Sequence, residues 1–178
     1  MIKALFLDRD GTINIETGYV YKKEDFEFLD GIFEFALAAQ EKGYALIVAS
    51  NQSGVARGFY SPEEMNLCNA YMKEEFAKHH IDILDIFCAT ALDENDPDRK
   101  PNPGMFLKAI AKYDIDPNSS ISIGDSLRDL LASKRAGIEK TILLENTKPQ
   151  KPLNENEFGS SLVSAKAANL REAIKFLD

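Results

Sequence analysis

The sequence predicts an α/β fold, a doubly wound three-layer α/β/α sandwich around a mostly parallel sheet. Three observations predict it. Short apolar runs bounded by turn residues alternate with segments of helical periodicity, which is how βαβ units read. Polar residues collect where the apolar runs end, and in an open parallel sheet the carboxyl ends of the strands are where ligands bind. The length, 178 residues, suits one domain over 1–178 with a sizeable core.

The elements follow in order. Ile2 and Ala4 to Leu7 read as a first strand, after which Asp8, Asp10 and Gly11 supply turn chemistry. Residues 15–30 read as a polar loop that includes Tyr19 and Tyr21. Asp30-Gly31 introduces a helix in which Ile32, Phe33, Phe35, Ala36 and Leu37 recur at helical spacing up to Gly43. Tyr44 to Ala49 is a buried-strand pattern that ends at Ser50-Asn51-Gln52-Ser53-Gly54. Ser61-Pro62-Glu63-Glu64 combines a capping Ser, Pro in the first turn and Glu three residues after the cap, so a helix starts there and runs to about His79. Leu84 to Ala91 gives a third strand, Asp93 to Pro103 an acidic loop, and Pro103 to Tyr113 a helix. Ser120 to Ile123 is a fourth strand running into Gly124-Asp125; Leu127 to Ala136 is a helix stopped by Gly137. Lys140 to Leu144 closes as a fifth strand, residues 146–160 read as a polar surface loop, and Asn169 caps a last helix, Leu170 to Leu177.

Composition narrows the function classes. Hydrophobic residues make up 44% and charged residues 28%, as in an ordinary globular protein. A net charge of −8 argues against general affinity for nucleic acid or an anionic membrane, both of which need a basic footprint. It leaves phosphorylated small molecules open, because a bound divalent cation inverts the local field. Cys68 and Cys88 form no CxxC pair and no disulfide framework. The N-terminus lacks a basic flank before a long apolar stretch, and no run reaches the ~18 apolar residues of a membrane span. A cytoplasmic protein is expected, and with no repeats or heptads a monomer.

The Asp8-Arg9-Asp10-Gly11 turn reads alone either as a solvated turn or as part of an active site. A calcium loop would need further acidic ligands, but Thr12, Ile13 and Asn14 follow. The other strand ends decide the matter. The second ends in Ser50-Asn51, the fourth in Gly124-Asp125 with Ser126 next and Asp129 one turn on, and Arg99-Lys100-Pro101 precedes a helix. In a doubly wound sheet these groups converge on one crevice. Carboxylates, a hydroxyl-amide pair and a fixed cation suit phosphoryl transfer. Asp8 and Asp125 with the backbone carbonyl of Asp10 offer the oxygen ligands that Mg²⁺ prefers. Asp8 would attack phosphorus and Asp10 would exchange the proton, while Lys100 and the Ser50 hydroxyl stabilise the equatorial oxygens.

Those four motifs, Asp8 to Thr12, Ser50-Asn51, Lys100, and Gly124-Asp125 with Asp129, resemble the haloacid dehalogenase (HAD) superfamily of phosphohydrolases. The resemblance implies a Rossmann-like fold with a minimal cap and Mg²⁺ as cofactor. It implies a nucleophile at Asp8, an acid/base at Asp10, and phosphate contacts from Ser50, Asn51 and Lys100. Asp8, Asp10 and Asp125 are the implied metal ligands, with Asp129 orienting neighbours behind them. Gly18-Tyr19-Val20, Ser50 to Gly58 and Arg99 to Met105 are similar to the branch acting as D-glycero-D-manno-heptose 1,7-bisphosphate 7-phosphatases, and histidinol-phosphate phosphatases share the pattern. That branch implies a small phosphorylated sugar as partner and a place in nucleotide-heptose synthesis for surface polysaccharide, including lipopolysaccharide. It also implies substrate contacts from Arg9, Glu16, Thr17, Gly18, Tyr19, Gln52, Ser53, Arg99 and Ser126.

Two departures stand out. Many members of the branch carry a zinc loop of three Cys and one His before the Arg-Lys-Pro motif. Here only Cys88 is in place, followed by Ala89-Thr90-Ala91 and later Asp96-Pro97-Asp98, so no zinc is expected. A Lys is common in that branch where this chain has Ser126, which removes one cation beside the substrate. His79 and His80 read as surface residues at a helix end.

Overall fold

The computed structural model describes residues 1–145 and 149–178. Its strands are β1 (Ala4–Leu7), β2 (Ala45–Asn51), β3 (Ile83–Ala89), β4 (Ile121–Gly124), β5 (Lys140–Leu144) and β6 (Ala165–Ala167), and its helices are α1 (Ile32–Glu41), α2 (Pro62–Lys78), α3 (Gly104–Tyr113), α4 (Leu127–Arg135) and α5 (Leu170–Ala173). All pairings are parallel, in the order β3-β2-β1-β4-β5-β6. The order reverses between β1 and β4, and that switch point is where a doubly wound sheet opens a crevice.

β1 shows why these strands read as unbroken apolar runs. Side chains alternate across a strand. Leu5 and Leu7 pack on one face with Phe35, Met72 and Phe76, while Ala4 and Phe6 pack on the other with Met105, Phe106 and Ala132. With α1, α2 and α5 on one face and α3 and α4 on the other, both surfaces of the central strand are buried. The register Leu7↔Ile123 brings the end of β1 beside that of β4, while Leu7↔Val48 lets β2 run on to Asn51 beyond it.

Helix α2 starts as its sequence requires: the Ser61 hydroxyl accepts from the Glu64 amide at 3.1 Å and the Glu64 carboxylate accepts from the Ser61 amide at 3.4 Å. His79 caps the other end, exposed, with its ring stacked 3.7 Å from that of Phe33.

Three expectations are corrected. A sixth strand, Ala165–Ala167, extends the sheet beyond β5, where three residues reading Ala-Lys-Ala carry too little pattern to be seen. The last helix stops at Ala173 and tightens into a 3₁₀ turn, Ile174–Phe176. Residues 15–30 are not a simple polar loop, since Val20 and Phe26 are in the core and Asn14 bridges Phe28 antiparallel. Within the 146–160 loop, residues 146–148 lie outside the described residues; the rest has no helix or strand until a 3₁₀ turn, Gly159–Ser161.

Candidate active site

At the end of β1 the chain turns sharply: the Arg9 carbonyl accepts from the Ile13 amide at 2.7 Å, and the Gly11 amide bonds the Asn14 carbonyl at 2.8 Å. Gly11 sits at φ +88°, and a Cβ there would overlap the Asp125 carboxylate. A Cβ on Gly124 would lie 2.5 Å from Asp129 Oδ2. Asp125 approaches the β1 turn, and Asp129 the end of β4, this closely only because these positions carry no side chain.

The crevice floor is a buried charge cluster. Lys100 Nζ lies 2.9 Å from Asp8 Oδ1, 2.7 Å from Asp129 Oδ1 and 2.7 Å from the Ala49 carbonyl, and its side chain is only 2% exposed. The Asn51 side chain fixes Lys100 from β2: its oxygen accepts from the Lys100 amide at 3.0 Å and its amide donates to the Lys100 carbonyl at 3.1 Å. Burial works against the Lys100 charge, but Asp129 and Asp8 outweigh it and raise its pKa. Burial, helped by the nearby Asp129, pushes the Asp8 carboxyl well above the usual carboxylate range; Lys100 opposes this and Asp125 adds to it. Carboxylate oxygens of Asp8, Asp125 and Asp129 lie within 4.8 Å of one another. Three carboxylates against one ammonium, all offering oxygen, suit a hard divalent cation.

Asp10 is gripped by four hydrogen bonds from three residues. Its Oδ1 accepts from Arg9 Nη2 and Asn14 Nδ2, both at 3.0 Å; its Oδ2 accepts from Arg9 Nε at 3.2 Å and Gln52 Nε2 at 3.0 Å. Gln52 also donates to Ser50 Oγ at 2.7 Å and accepts from the Tyr60 hydroxyl at 2.6 Å. Burial pushes the Tyr60 hydroxyl up to about 12, so it stays a donor.

The expected site residues sort clearly. Asp8, Asp10, Asn51, Lys100, Asp125 and Asp129 line one crevice of about 460 Å³, the size of a small-molecule pocket. Glu16, Gly18 and Tyr19 enter it from the loop after β1, Gln52 and Ser53 from the turn after β2, and Arg99 and Ser126 from the connections before α3 and α4. Three residues do not line it. Arg9, 1% exposed, points inward: beyond Asp10 its guanidinium donates to Asn69 Oδ1 at 2.9 Å and to the Val20 carbonyl, so it steadies Asp10 instead of facing a ligand. Ser50, also 1% exposed, has its hydroxyl behind Gln52, and Thr17 is exposed outside the crevice. Ser126 is a helix cap, its hydroxyl accepting from the Arg128 amide at 3.3 Å and its amide donating to Asp129 Oδ2 at 3.2 Å. Asp129 thus acts from behind, one oxygen on the cap and the other on Lys100.

Sequence reasoning missed Arg57, Tyr60, Arg128, Gln150 and Lys151, which also line the crevice. Arg57 and Tyr60 fall in or just after the polar run ending β2 and were open to suspicion; Arg128, Gln150 and Lys151 carry no motif. At the zinc-loop position, Cys88 Sγ accepts from Asn69 Nδ2 at 3.4 Å, and burial pushes its thiol pKa up. The loop itself is held by side chains. The Asn102 amide donates to the Glu94 and Asp96 carbonyls, both at 2.8 Å, and Arg99 Nη1 to the Ala91 carbonyl at 2.9 Å. Among the described residues no other group of acids, Cys and His is arranged to hold a metal.

Such a floor can present an oxygen nucleophile to an electrophile whose charge Lys100 and a cation would balance. Comparisons with known proteins agree with that chemistry. A family model described as haloacid dehalogenase-like hydrolase matches residues 13–137. A protein of Campylobacter jejuni named D-glycero-alpha-D-manno-heptose-1,7-bisphosphate 7-phosphatase is 49% identical over 83% of this chain and 86% of its own length. One of Pasteurella multocida named for the beta anomer is 40% identical over 84% and 85%. The crystal structure of D,D-heptose 1,7-bisphosphate phosphatase from B. bronchiseptica, complexed with magnesium and phosphate, superimposes with a TM-score of 0.84 at 25% identity, covering 99% of this chain and 98% of that one.

Proposed function

Because the chain belongs to the haloacid dehalogenase-like hydrolases, we propose that it is a Mg²⁺-dependent phosphatase that removes the 7-phosphate of D-glycero-D-manno-heptose 1,7-bisphosphate. The observation that carries the substrate is the relatedness to proteins named for that bisphosphate over more than four fifths of this chain. The floor geometry supports the reaction.

Asp8 is the nucleophile. Its carboxylate oxygen bonds phosphorus as the bond from phosphorus to the C7 oxygen breaks, leaving an aspartyl-phosphate. Asp10, held by Arg9, Asn14 and Gln52, gives its proton to the departing C7 oxygen. It then takes one from a water that attacks the phosphoryl group, which frees Asp8 and inorganic phosphate. Lys100 neutralises charge on the transferred group from a fixed position. Asp8, the Asp10 carbonyl and Asp125 would hold Mg²⁺, which when bound offsets the repulsion between carboxylate and phosphate dianion. Asp129 keeps Lys100 in place. The partner is a soluble sugar phosphate, met by a cytoplasmic monomer on the way to nucleotide-heptose. The net charge of −8 speaks against a nucleic-acid substrate, and among the described residues no helix is long and apolar enough to cross a membrane.

The test is phosphate release from both anomers of the bisphosphate, with histidinol phosphate as comparator, in Mg²⁺ and in EDTA. Release from the heptose substrate is expected to need Mg²⁺, and Asp8→Asn is expected to lower kcat by at least about 10³-fold. Full metal-dependent turnover by Asp8→Asn would overturn the assignment.

A further inference from the structure

Four cations reach the crevice mouth, and they differ in how far they are committed. Arg99 spends part of its guanidinium on the Ala91 carbonyl. Arg57 lines the crevice from the connection after β2. Two further cations come from adjoining segments. Arg128 is in the first turn of α4, and Lys151 follows β5 on a segment pinned to that turn by Gln150. Gln150 Oε1 accepts from the Leu127 amide at 3.3 Å, and Gln150 Nε2 donates to the Asp125 carbonyl at 2.8 Å. Arg128 and Lys151 are exposed and make no ion pair or side-chain hydrogen bond among the described residues. Ser126, next to Asp125 and also lining the crevice, has its hydroxyl and amide engaged in the helix cap and brings no charge.

Two uncommitted cations at the mouth of a site floored by carboxylates have a chemical meaning. The floor repels any second dianion on a ligand, and that repulsion falls only if positive charge stands where the second dianion rests. A sugar phosphate bearing one phosphate needs no such pair; a bisphosphate does. We propose that Arg128 and Lys151 together hold the phosphate that is not transferred and set this chain's preference for bisphosphates over monophosphates. Arg128 supplies the planar fork and Lys151 a mobile point charge. The proposal rests on the reading of the substrate as a sugar 1,7-bisphosphate. It places the charge absent at position 126 two residues further along α4 and on the segment after β5.

The experiment compares kcat/KM for heptose 1,7-bisphosphate and heptose 7-phosphate in wild type, Arg128→Ala/Lys151→Ala and Arg57→Ala. The double variant is expected to lower the bisphosphate-to-monophosphate ratio about tenfold or more, chiefly through KM for the bisphosphate. An unchanged ratio, an equal loss on both substrates, or a fall in ratio confined to Arg57→Ala would each overturn it. If wild type itself fails to hydrolyse the bisphosphate, the reading of the substrate falls, and the inference with it. Wild-type turnover with an unchanged ratio in the double variant sinks the inference alone.

Discussion

The floor and the mouth of the crevice treat charge in opposite ways. At the floor Asp8 and Asp129 share Lys100, and Arg9 grips Asp10, all three interactions being buried or partly buried. At the mouth Arg57, Arg128 and Lys151 stand in solvent with no ion pair among the described residues. The difference follows from what each must do. Groups that stabilise a transition state act only if they need not reorganise when it forms, so the protein holds them with its own counter-charges. Groups that recognise a ligand lose most of their value if they are already paired.

Breaking the floor gives the largest expected effect. Lys100→Met leaves Asp8 and Asp129 facing each other with no cation between them. It is expected to cut kcat by about 10²–10³-fold and to destabilise the metal-free protein by about 3–5 kcal/mol. Urea unfolding reads the second loss, and a midpoint equal to wild type would show that the floor is not held by charge. Arg9→Lys comes next: it keeps the charge but loses the fork on Asp10, with an expected fall in kcat of about 10–100-fold and little change in KM. A variant turning over at the wild-type rate would mean Asp10 needs no positioning from Arg9. The mouth responds least and differently. Raising salt from about 0.05 to about 0.5 M is expected to raise KM severalfold by screening exposed cations while kcat holds; a change in kcat alone would erase the distinction between the two regions.

The alternation of strands and helices was legible because both faces of β1 and β2 are covered, which forces continuous apolar runs such as Ala4 to Leu7. Asp8 and Asp125 were legible too, because a carboxylate at the end of a strand has left the apolar layer, and Lys100 because Arg99-Lys100-Pro101 sets a cation just before a helix. β6 was not, since three residues cannot show a period. Nor was the inward turn of Arg9: an Arg between two acids looks solvent-facing until Asn69 and the Val20 carbonyl are seen waiting for it. The capping role of Ser126 was legible only in part, because the signature of a cap and that of a ligand contact are the same residue type at a helix start. Lys151 depends on Gln150 bonding back to α4 across sequence separations of 23 and 25 residues, which no local pattern encodes.

Gly11 and Gly124 carry no chemistry, yet they set how this site can evolve. Each is an empty place that a neighbouring acid, Asp125 or Asp129, already fills. A lineage can exchange the cations of the mouth one at a time and drift towards new substrates. It cannot put even a methyl group on either glycine without moving a carboxylate of the floor. The reactive centre is therefore inherited as a block, and a deep mutational scan would find these two silent positions about as intolerant as Asp8 itself.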